Sequence, residues 1–358
     1  MKPIYKILFF LLLVPVISSA TVLDGKYTKK KVISKKFTVD TNATLNVSNK
    51  YGNIDIISWN ENTIEIEVTI TTNGNDEEKV ERKLEQIDVD FKSSSNNVYA
   101  KTNIEKSSSS WSFWGNNNNV NMEINYKIKM PITNNVALTN DYGGISLDKL
   151  EGTSKIDCDY GSLTIGELLN SNNTITIDYT NKSEIDYMKD GTVDADYSTL
   201  YIGETGNVDL IADYSTISFG KVNNLKFDCD YGSLKIGSAN NLNGISDYMN
   251  TTIEKLDGSG SFDMDYGSLK INDLGPNIGQ LKVESSYTHL KFGVNSNTSF
   301  NITATLSYGN LKYGNGFTFN KEIVKSSSKF YEGYYNTVNS NGNISIKSSY
   351  GSITFFNN

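Results

Sequence analysis

A repeated carboxylate is the feature of this 358-residue sequence whose spacing could support chemistry. An aspartate stands directly before a tyrosine at Asp141, Asp159, Asp178, Asp196, Asp213, Asp230, Asp247 and Asp265. A row of such carboxylates could bind a cation such as Ca2+, because hard divalent ions prefer oxygen ligands and close like charges repel unless they are bridged. The alternative is a structural role, in which each carboxylate accepts a hydrogen bond from a backbone N–H of its own turn. The sequence favours the structural role, with at most weak calcium binding along the row.

Neither the acids nor the single histidine indicate a catalytic centre. A shorter row of acids, two residues before the first, comprises Asp157, Asp194, Asp228 and Asp263. A glycoside hydrolase needs one local pair of carboxylates in different environments, whereas these acids recur alike in unit after unit. His289 stands alone at a predicted turn, without partners for a zinc site or a Ser/His dyad. The residues therefore predict no catalytic group, no cofactor and no dedicated metal site.

Three aromatic residues form a further candidate binding site. Trp111, Phe113 and Trp114 lie in a loop rich in serine and asparagine, within residues 107–119. Exposed aromatic side chains can anchor a carbohydrate or a protein. The same residues can also fold back onto their own domain, and the sequence leaves both alternatives open.

The acids are positioned by a repeat that is marked by tyrosine. Its copies fall at Tyr51, Tyr142, Tyr160, Tyr179, Tyr197, Tyr214, Tyr231, Tyr248, Tyr266, Tyr287, Tyr308 and Tyr350. From Tyr142 to Tyr266 successive copies are 17 to 19 residues apart, the next two intervals are 21 residues, and the last is 42 residues. A fixed period of about 20 residues, with a Gly or Ser turn in most copies, is typical of a stacked solenoid.

Each copy alternates apolar and polar residues as a half-buried strand does. In one copy Leu225, Phe227 and Cys229 alternate with polar residues, and Leu234 and Ile236 resume the pattern after the turn. One unit cannot bury its own apolar face, so the units must stack. The prediction is an all-β parallel β-helix with rungs of 17–21 residues, right-handed because parallel crossovers almost always are.

The turn after each tyrosine completes the predicted rung. Gly232 tolerates positive φ, but other copies place Ser, Thr or Met there, so positive φ is not obligatory at this position. If the tyrosine continues the alternation, it points inward or lies at a corner, and stacked copies form an aromatic ladder.

The two cysteines test this register. Cys158 and Cys229 both lie two residues before a repeat tyrosine, in units four rungs apart. At about 4.8 Å per rung their separation is roughly 19 Å, whereas a disulfide needs Cα atoms within about 7 Å. We therefore predict two buried, unpaired thiols.

Residues 1–20 have the features of a secretory signal peptide. Lys2 and Lys6 accompany an apolar run over residues 7–17, and Ser18-Ser19-Ala20 forms a small-residue cleavage site. The apolar run is short for a membrane span. Cleavage would change the formal net charge from −8 to −10, and an acidic protein repels nucleic acid. We predict an exported protein of the periplasm, the outer membrane surface or the extracellular space, without a transmembrane span in the mature chain or a nucleic-acid partner.

The rest of the chain divides into two regions. Residues 21–135 keep β character without the short period, and residues 75–87 have the pattern of one short amphipathic helix. This region is expected to cap or begin the solenoid, since the open end of a β-helix invites edge pairing, and a separate small sandwich is the alternative. Residues 136–358 hold the β-helix repeats, with an insertion between Gly314 and Tyr335.

The tyrosine motif behind a signal peptide resembles bacterial adhesin-like proteins of unknown function. Representative copies are Tyr51-Gly52-Asn53-Ile54 and Tyr231-Gly232-Ser233-Leu234. The resemblance covers residues 35–358 and includes the family labelled auto-transporter adhesin, head GIN domain. It implies an exported parallel β-helix, and it brings no catalytic residues to transfer.

The predicted function is non-enzymatic surface display or binding at the bacterial cell envelope, with a cell-surface carbohydrate or protein as partner. The competing hypothesis is a polysaccharide-active enzyme, a lyase or a hydrolase, on a β-helix scaffold. Turnover of a polysaccharide that is abolished by changing one or two acids would identify the enzyme.

Overall fold

The computed structural model describes residues 25–105 and 120–358. These residues form an extensive β-sheet structure with one short helix, which confirms the all-β prediction. The strands are β1 (Tyr27–Thr38), β2 (Thr44–Lys50), β3 (Ile54–Trp59), β4 (Thr63–Gly74), β5 (Ile87–Ser94), β6 (Asn97–Ile104), β7 (Asn121–Pro131), β8 (Asn135–Asp141), β9 (Ile145–Leu150), β10 (Ser154–Asp159), β11 (Leu163–Leu168), β12 (Asn173–Asp178), β13 (Ser183–Asp196), β14 (Thr199–Asp213), β15 (Thr216–Asp265), β16 (Ser268–Leu274), β17 (Gln280–Ser286), β18 (His289–Val294), β19 (Phe300–Ser307), β20 (Asn310–Lys312), β21 (Phe317–Val324), β22 (Ser328–Tyr335), β23 (Gly342–Ser349) and β24 (Ser352–Asn357). The helix is α1 (Glu77–Glu85).

Neighbouring units pair as parallel strands, in register, on both sides of the repeated tyrosine. Before the tyrosine, Cys158 lies opposite Ile177 of the next unit, and Ile177 lies opposite Ala195. After the tyrosine, Ile165 lies opposite Ile185. Equivalent repeat positions therefore face one another along the stack, as the sequence period predicts.

Alternation along each strand buries one face of every unit. Phe227 and Cys229 are almost fully buried, whereas Lys226 between them is exposed. The buried side chains form one apolar interior that extends from Val39 to Phe355. Burying a Leu, Ile or Phe side chain stabilises the fold by about 1.5–3 kcal/mol, so the units are stable together although none could be stable alone.

The cysteine prediction is confirmed. Cys158 and Cys229 are both buried and unpaired. The repeat tyrosines of the two cysteine units are Tyr160 and Tyr231, and the tyrosines of three other units lie between them in the stack. Burial is the main cause that raises the pKa of each thiol to about 12, so both stay protonated at neutral pH.

The N-terminal part contributes the first unit and a set of antiparallel strands beside it. β2 pairs in parallel with β8, and β3 pairs in parallel with β9, so these strands join the stack directly. β4 pairs antiparallel with β1 and β7, and β5 pairs antiparallel with β6. The predicted helix is present as α1, where the Asp76 carboxylate accepts the Lys79 N–H at 3.2 Å and Val80 is buried. Ile87 lies just beyond the helix and begins β5.

The order of the last units differs from their order in the sequence. β23 lies between β17 and β19 and pairs in parallel with both, so the unit of Tyr350 separates the units of Tyr287 and Tyr308. The predicted insertion forms the hairpin of β21 and β22, and β22 pairs antiparallel with the other edge of β19. Because β22 covers that edge of β19, β23 lies on the other side of β19, where it pairs with β17 as well. A period of 21 residues cannot reveal this exchange of order.

Candidate functional site

The repeated tyrosines lie at an exposed corner of the stack, with the backbone in the left-handed region. All twelve have φ between 50° and 62°. Of the two predicted placements, the corner is confirmed and the inward orientation is wrong, because every one of these rings is exposed to solvent. A left-handed tyrosine turns the chain between two strands, so the ring leaves the alternation and points outward.

The residue after the tyrosine is inward-facing and closely packed. A Cβ atom at Gly232 would lie 2.1 Å from the carbonyl oxygen of Ser215 in the preceding unit. Where the position is Ser215, the side chain is buried, and its Oγ lies 2.8 Å from the Ala195 carbonyl oxygen. Glycine is therefore used for close approach of backbones. Positive φ is not needed at this position, as predicted, and is found at the tyrosine before it.

The twelve tyrosines form one continuous ladder of stacked rings. Adjacent ring centroids are 4.7–5.2 Å apart, and the interplanar angles do not exceed 11°. The order in the ladder is Tyr51, Tyr142, Tyr160, Tyr179, Tyr197, Tyr214, Tyr231, Tyr248, Tyr266, Tyr287, Tyr350 and Tyr308. Each inner ring has a neighbour against both faces. The ladder therefore presents mainly ring edges and hydroxyl groups to solvent.

The hydroxyl groups of Tyr160, Tyr197 and Tyr231 stay protonated at neutral pH. Partial loss of hydration in the stack, followed by the neighbouring tyrosines and aspartates, raises the pKa of Tyr160, Tyr197 and Tyr231 above the ordinary value for tyrosine. A neutral phenol both donates and accepts hydrogen bonds. The corner thus carries a row of such groups, one per unit.

The eight aspartates form a row directly beside the ladder. Asp159 lies opposite Asp141 and Asp178 in the neighbouring units, and Asp213 lies opposite Asp230. At two of these residues the hydrogen bond goes to the next unit and not to the predicted turn: Asp196 Oδ1 accepts the Asp213 N–H at 3.1 Å, and Asp230 Oδ1 accepts the Asp247 N–H at 2.9 Å. The pleat explains the difference, since a side chain at the end of a parallel strand lies nearer the next rung than the residues of its own turn.

Packing like charges in this row changes their acidity. Burial, with repulsion from neighbouring carboxylates as the second cause, raises the pKa of Asp159, Asp178, Asp213 and Asp247. At the end of the row, Asp141 is paired with Lys50 at 2.5 Å. A hydrogen bond from the next unit holds the carboxylates of Asp196 and Asp230, but the row retains repulsion that protonation would relieve.

The other predicted site residues do not join this edge. The shorter acid row is interrupted, because Asp194 lies opposite Thr176 and Ile211. His289 is exposed and contacts Ser352 Oγ through Nδ1 at 3.0 Å. Trp111, Phe113 and Trp114 lie outside the described residues. Within residues 25–105 and 120–358, no group of three His, Cys, Asp or Glu side chains is arranged to hold a metal ion.

The exposed tyrosines are the functional candidates that sequence reasoning missed. The sequence did contain a signal for them: the tyrosine is present in every copy, whereas the residue after it varies among Gly, Ser, Thr and Met. We name the twelve ladder tyrosines and the eight aspartates beside them the tyrosine–aspartate edge. It spans roughly 50 Å, since eleven stacking intervals of about 4.8 Å separate its ends.

Comparison with solved structures finds proteins that carry adhesin names. The chain is similar to a "putative cell adhesion protein" from Clostridium sporogenes, at 12% identity over 92% of this chain and 100% of that chain, with a TM-score of 0.17. It is similar to a "putative adhesin" from Bacteroides fragilis, at 12% identity over 91% and 97% of the two chains, with a TM-score of 0.25. A third, from Parabacteroides merdae, is 13% identical over 74% and 89%, with a TM-score of 0.29.

Other comparisons find no match. No protein-family model matches the sequence, and no curated protein matches it. Among the described residues, no helix is long and apolar enough to cross a bilayer.

Proposed function

We propose that this chain is an exported, non-enzymatic, adhesin-like protein that binds at the bacterial cell envelope through its tyrosine–aspartate edge. The observation that carries the proposal is the repetition of an exposed phenol at all twelve rungs of the ladder, with an at least partly exposed carboxylate beside it at eight of them. A surface that repeats the same groups at each rung suits a partner that also repeats. Many weak contacts then add up to useful affinity through effective concentration.

The chemistry of the edge fits a neutral carbohydrate polymer best. Phenol hydroxyls donate and accept hydrogen bonds, and carboxylates accept them from sugar hydroxyls. The carboxylate row repels anionic polymers, in agreement with the formal net charge of −8. Since ring faces inside the ladder are covered, recognition runs through hydroxyls and edges, and stacking of a sugar on a ring face is confined to Tyr51 and Tyr308 at the two ends.

An enzymatic function fits this edge poorly. Hydrolysis of a glycoside needs two carboxylates with different pKa values at one place. In the central rungs, Asp178, Asp213 and Asp247 share the same main cause of a raised pKa and the same kind of neighbour. Acids that repeat with the same kind of neighbour offer many similar contacts along the row.

Three further features of the chain belong to this proposal. The parallel ladders wind as a right-handed β-helix, in keeping with the handedness of parallel crossovers. Residues 1–20 are removed as a signal peptide on export. The predicted cap lies within residues 21–135, and its described elements β4, β5 and α1 lie beside the first unit and protect it against edge pairing.

Binding to a panel of cell-surface polysaccharides and proteins tests the proposal. The variant Tyr197→Phe/Tyr214→Phe/Tyr231→Phe removes three hydroxyls and keeps the stacked rings. We expect it to bind a neutral polysaccharide several-fold more weakly than the natural chain. The control is Tyr201→Phe, which removes a hydroxyl from an exposed tyrosine outside the ladder and should bind normally.

Three outcomes would overturn this assignment. Equal binding by the triple variant and the natural chain would show that the edge is not the binding surface. Binding to proteins alone would change the partner class. Turnover of a polysaccharide that is lost on changing one or two acids would identify an enzyme.

A further inference from the structure

The last unit of the chain lies in a slot between two units that are consecutive in sequence. We call residues 342–357, which form β23 and β24, the C-terminal rung. The slot is bounded by β17 and β18 on one side and by β19 and β20 on the other. The backbone closes around the rung, since the Tyr287 N–H donates to the Ser349 carbonyl at 2.9 Å and the Tyr350 N–H donates to the Ser307 carbonyl at 2.8 Å.

The two walls of the slot match each other in register. Gln280 of β17 and Asn301 of β19 both lie opposite Asn343. On the other ladder, His289 of β18 and Asn310 of β20 both lie opposite Ser352. Each pair of wall residues is 21 positions apart, the same interval that separates Tyr287 from Tyr308. The walls can therefore pair directly with each other, with inward residues still inward, when the rung is absent.

A filled slot is favoured over a closed one, whichever chain fills it. Without the rung, the two walls would share one interface, whereas the rung makes an interface with each wall. It also buries Ile344, Ile346, Ile353 and Phe355 to 2% exposure or less. These contacts depend on the sequence of the rung alone. The same segment of another copy would make all of them.

The connection to the rung has spare length. β22 ends at Tyr335 and β23 begins at Gly342, and both residues lie opposite Phe300, on its two sides. The connection thus crosses two strand spacings, about 10 Å. Its six residues, 336–341, could extend to roughly 20 Å. Asn336 and Asn339 in this segment adopt left-handed φ, so it is coiled rather than stretched.

We propose that the C-terminal rung is exchangeable, and that the slot accepts the C-terminal rung of a second copy of this chain. Exchange of an identical element between copies gives the same contacts in the joined and the separate forms. The equilibrium between single and joined copies therefore depends on the chain concentration and on the connecting segment. Reciprocal exchange joins two copies, and exchange in one direction links copies in series. In both forms the tyrosine ladders of several chains are brought into one assembly.

Disulfide trapping between two full-length variants tests this exchange. Lys282 of β17 lies opposite Ser345 of the rung, both side chains are exposed, and adjacent strands are close enough for a disulfide. One chain carries Lys282→Cys and the other carries Ser345→Cys, and the two are mixed, warmed and oxidised. The matched control mixes Asp209→Cys with Lys226→Cys, which face each other on inner strands of the same chain. Cys158 and Cys229 are buried and do not compete.

We expect the slot pair to give several-fold more cross-linked dimer than the control pair. The double variant Lys282→Cys/Ser345→Cys should close within one chain, which verifies the slot in the folded protein. If the double variant closes and the mixed slot pair gives no more dimer than the control, the rung does not exchange. If the double variant fails to close while remaining folded, the slot itself is wrong.

Discussion

The left-handed backbone at the ladder tyrosines predicts an unusual order of stability for substitutions at Tyr214. This ring stacks on Tyr197 and Tyr231, both at 4.9 Å, and its φ is 54°. Each stacked pair contributes about 0.5–1.5 kcal/mol, so Tyr214→Ala should destabilise the protein by about 1–3 kcal/mol. Alanine keeps the left-handed φ, which costs an L-residue about 1–2 kcal/mol.

Glycine at the same position should be less harmful than alanine. Tyr214→Gly loses the same stacking but removes the left-handed strain, against an added backbone entropy of about 0.5–1 kcal/mol. The glycine variant should therefore be more stable than the alanine variant by about 0.5–1 kcal/mol. At an ordinary strand position the order is the reverse, because glycine there is less stable than alanine.

Urea unfolding of matched variants measures this order. Tyr201 supplies the control: it is an exposed strand tyrosine outside the ladder, and its φ is not positive. Tyr201→Gly should be less stable than Tyr201→Ala, whereas the order should be inverted at Tyr214. If alanine is at least as stable as glycine at Tyr214, the left-handed corner is not strained, and the account of the turn is wrong.

Three further predictions concern the acids, calcium and the thiols. Because burial, and after it repulsion from Asp196 and Asp230, raises the pKa of Asp213 in the folded protein, the ionised carboxylate lowers stability at neutral pH. This penalty is relieved as the pH falls through the raised pKa towards the ordinary value of 3.8. Asp213→Asn should therefore be mildly stabilising at pH 7 in urea unfolding, with a gain that vanishes below about pH 3.8; a gain that grows on acidification would contradict this. Millimolar calcium should raise the melting temperature only modestly in calorimetry, and micromolar affinity, or unfolding in EDTA, would show a dedicated metal site. Thiol titration of the native protein near pH 8 should find no reactive group, and denaturation without reductant should release two, from Cys158 and Cys229.

The sequence predicted the stack well because its period and its alternation describe the same structure. The spacing of 17–21 residues fixes which positions face each other, as Cys158 and Ile177 do. The alternation of Phe227, Lys226 and Cys229 fixes which face is buried. Both signals can be read from neighbouring repeats, so they can be recognised without knowledge of the whole fold.

The features that the sequence did not predict depend on contacts between units. The sequence showed that positive φ is not obligatory at the glycine position, but it gave no sign that the tyrosine one residue earlier adopts it, where the rings stack. The hydrogen bond of Asp196 reaches the next unit rather than its own turn. The place of the last unit follows from β22, which covers the edge that the period would have assigned to it.

Covalent labelling of tyrosines, read by mass spectrometry, tests the central claim most directly. The protein is labelled free and in the presence of bacterial cells or of a neutral polysaccharide that binds it in the panel. If the tyrosine–aspartate edge is the binding surface, ladder residues such as Tyr197 and Tyr231 become protected on binding, while Tyr201 is labelled as before. Equal labelling of the ladder in the free and bound protein would contradict the account.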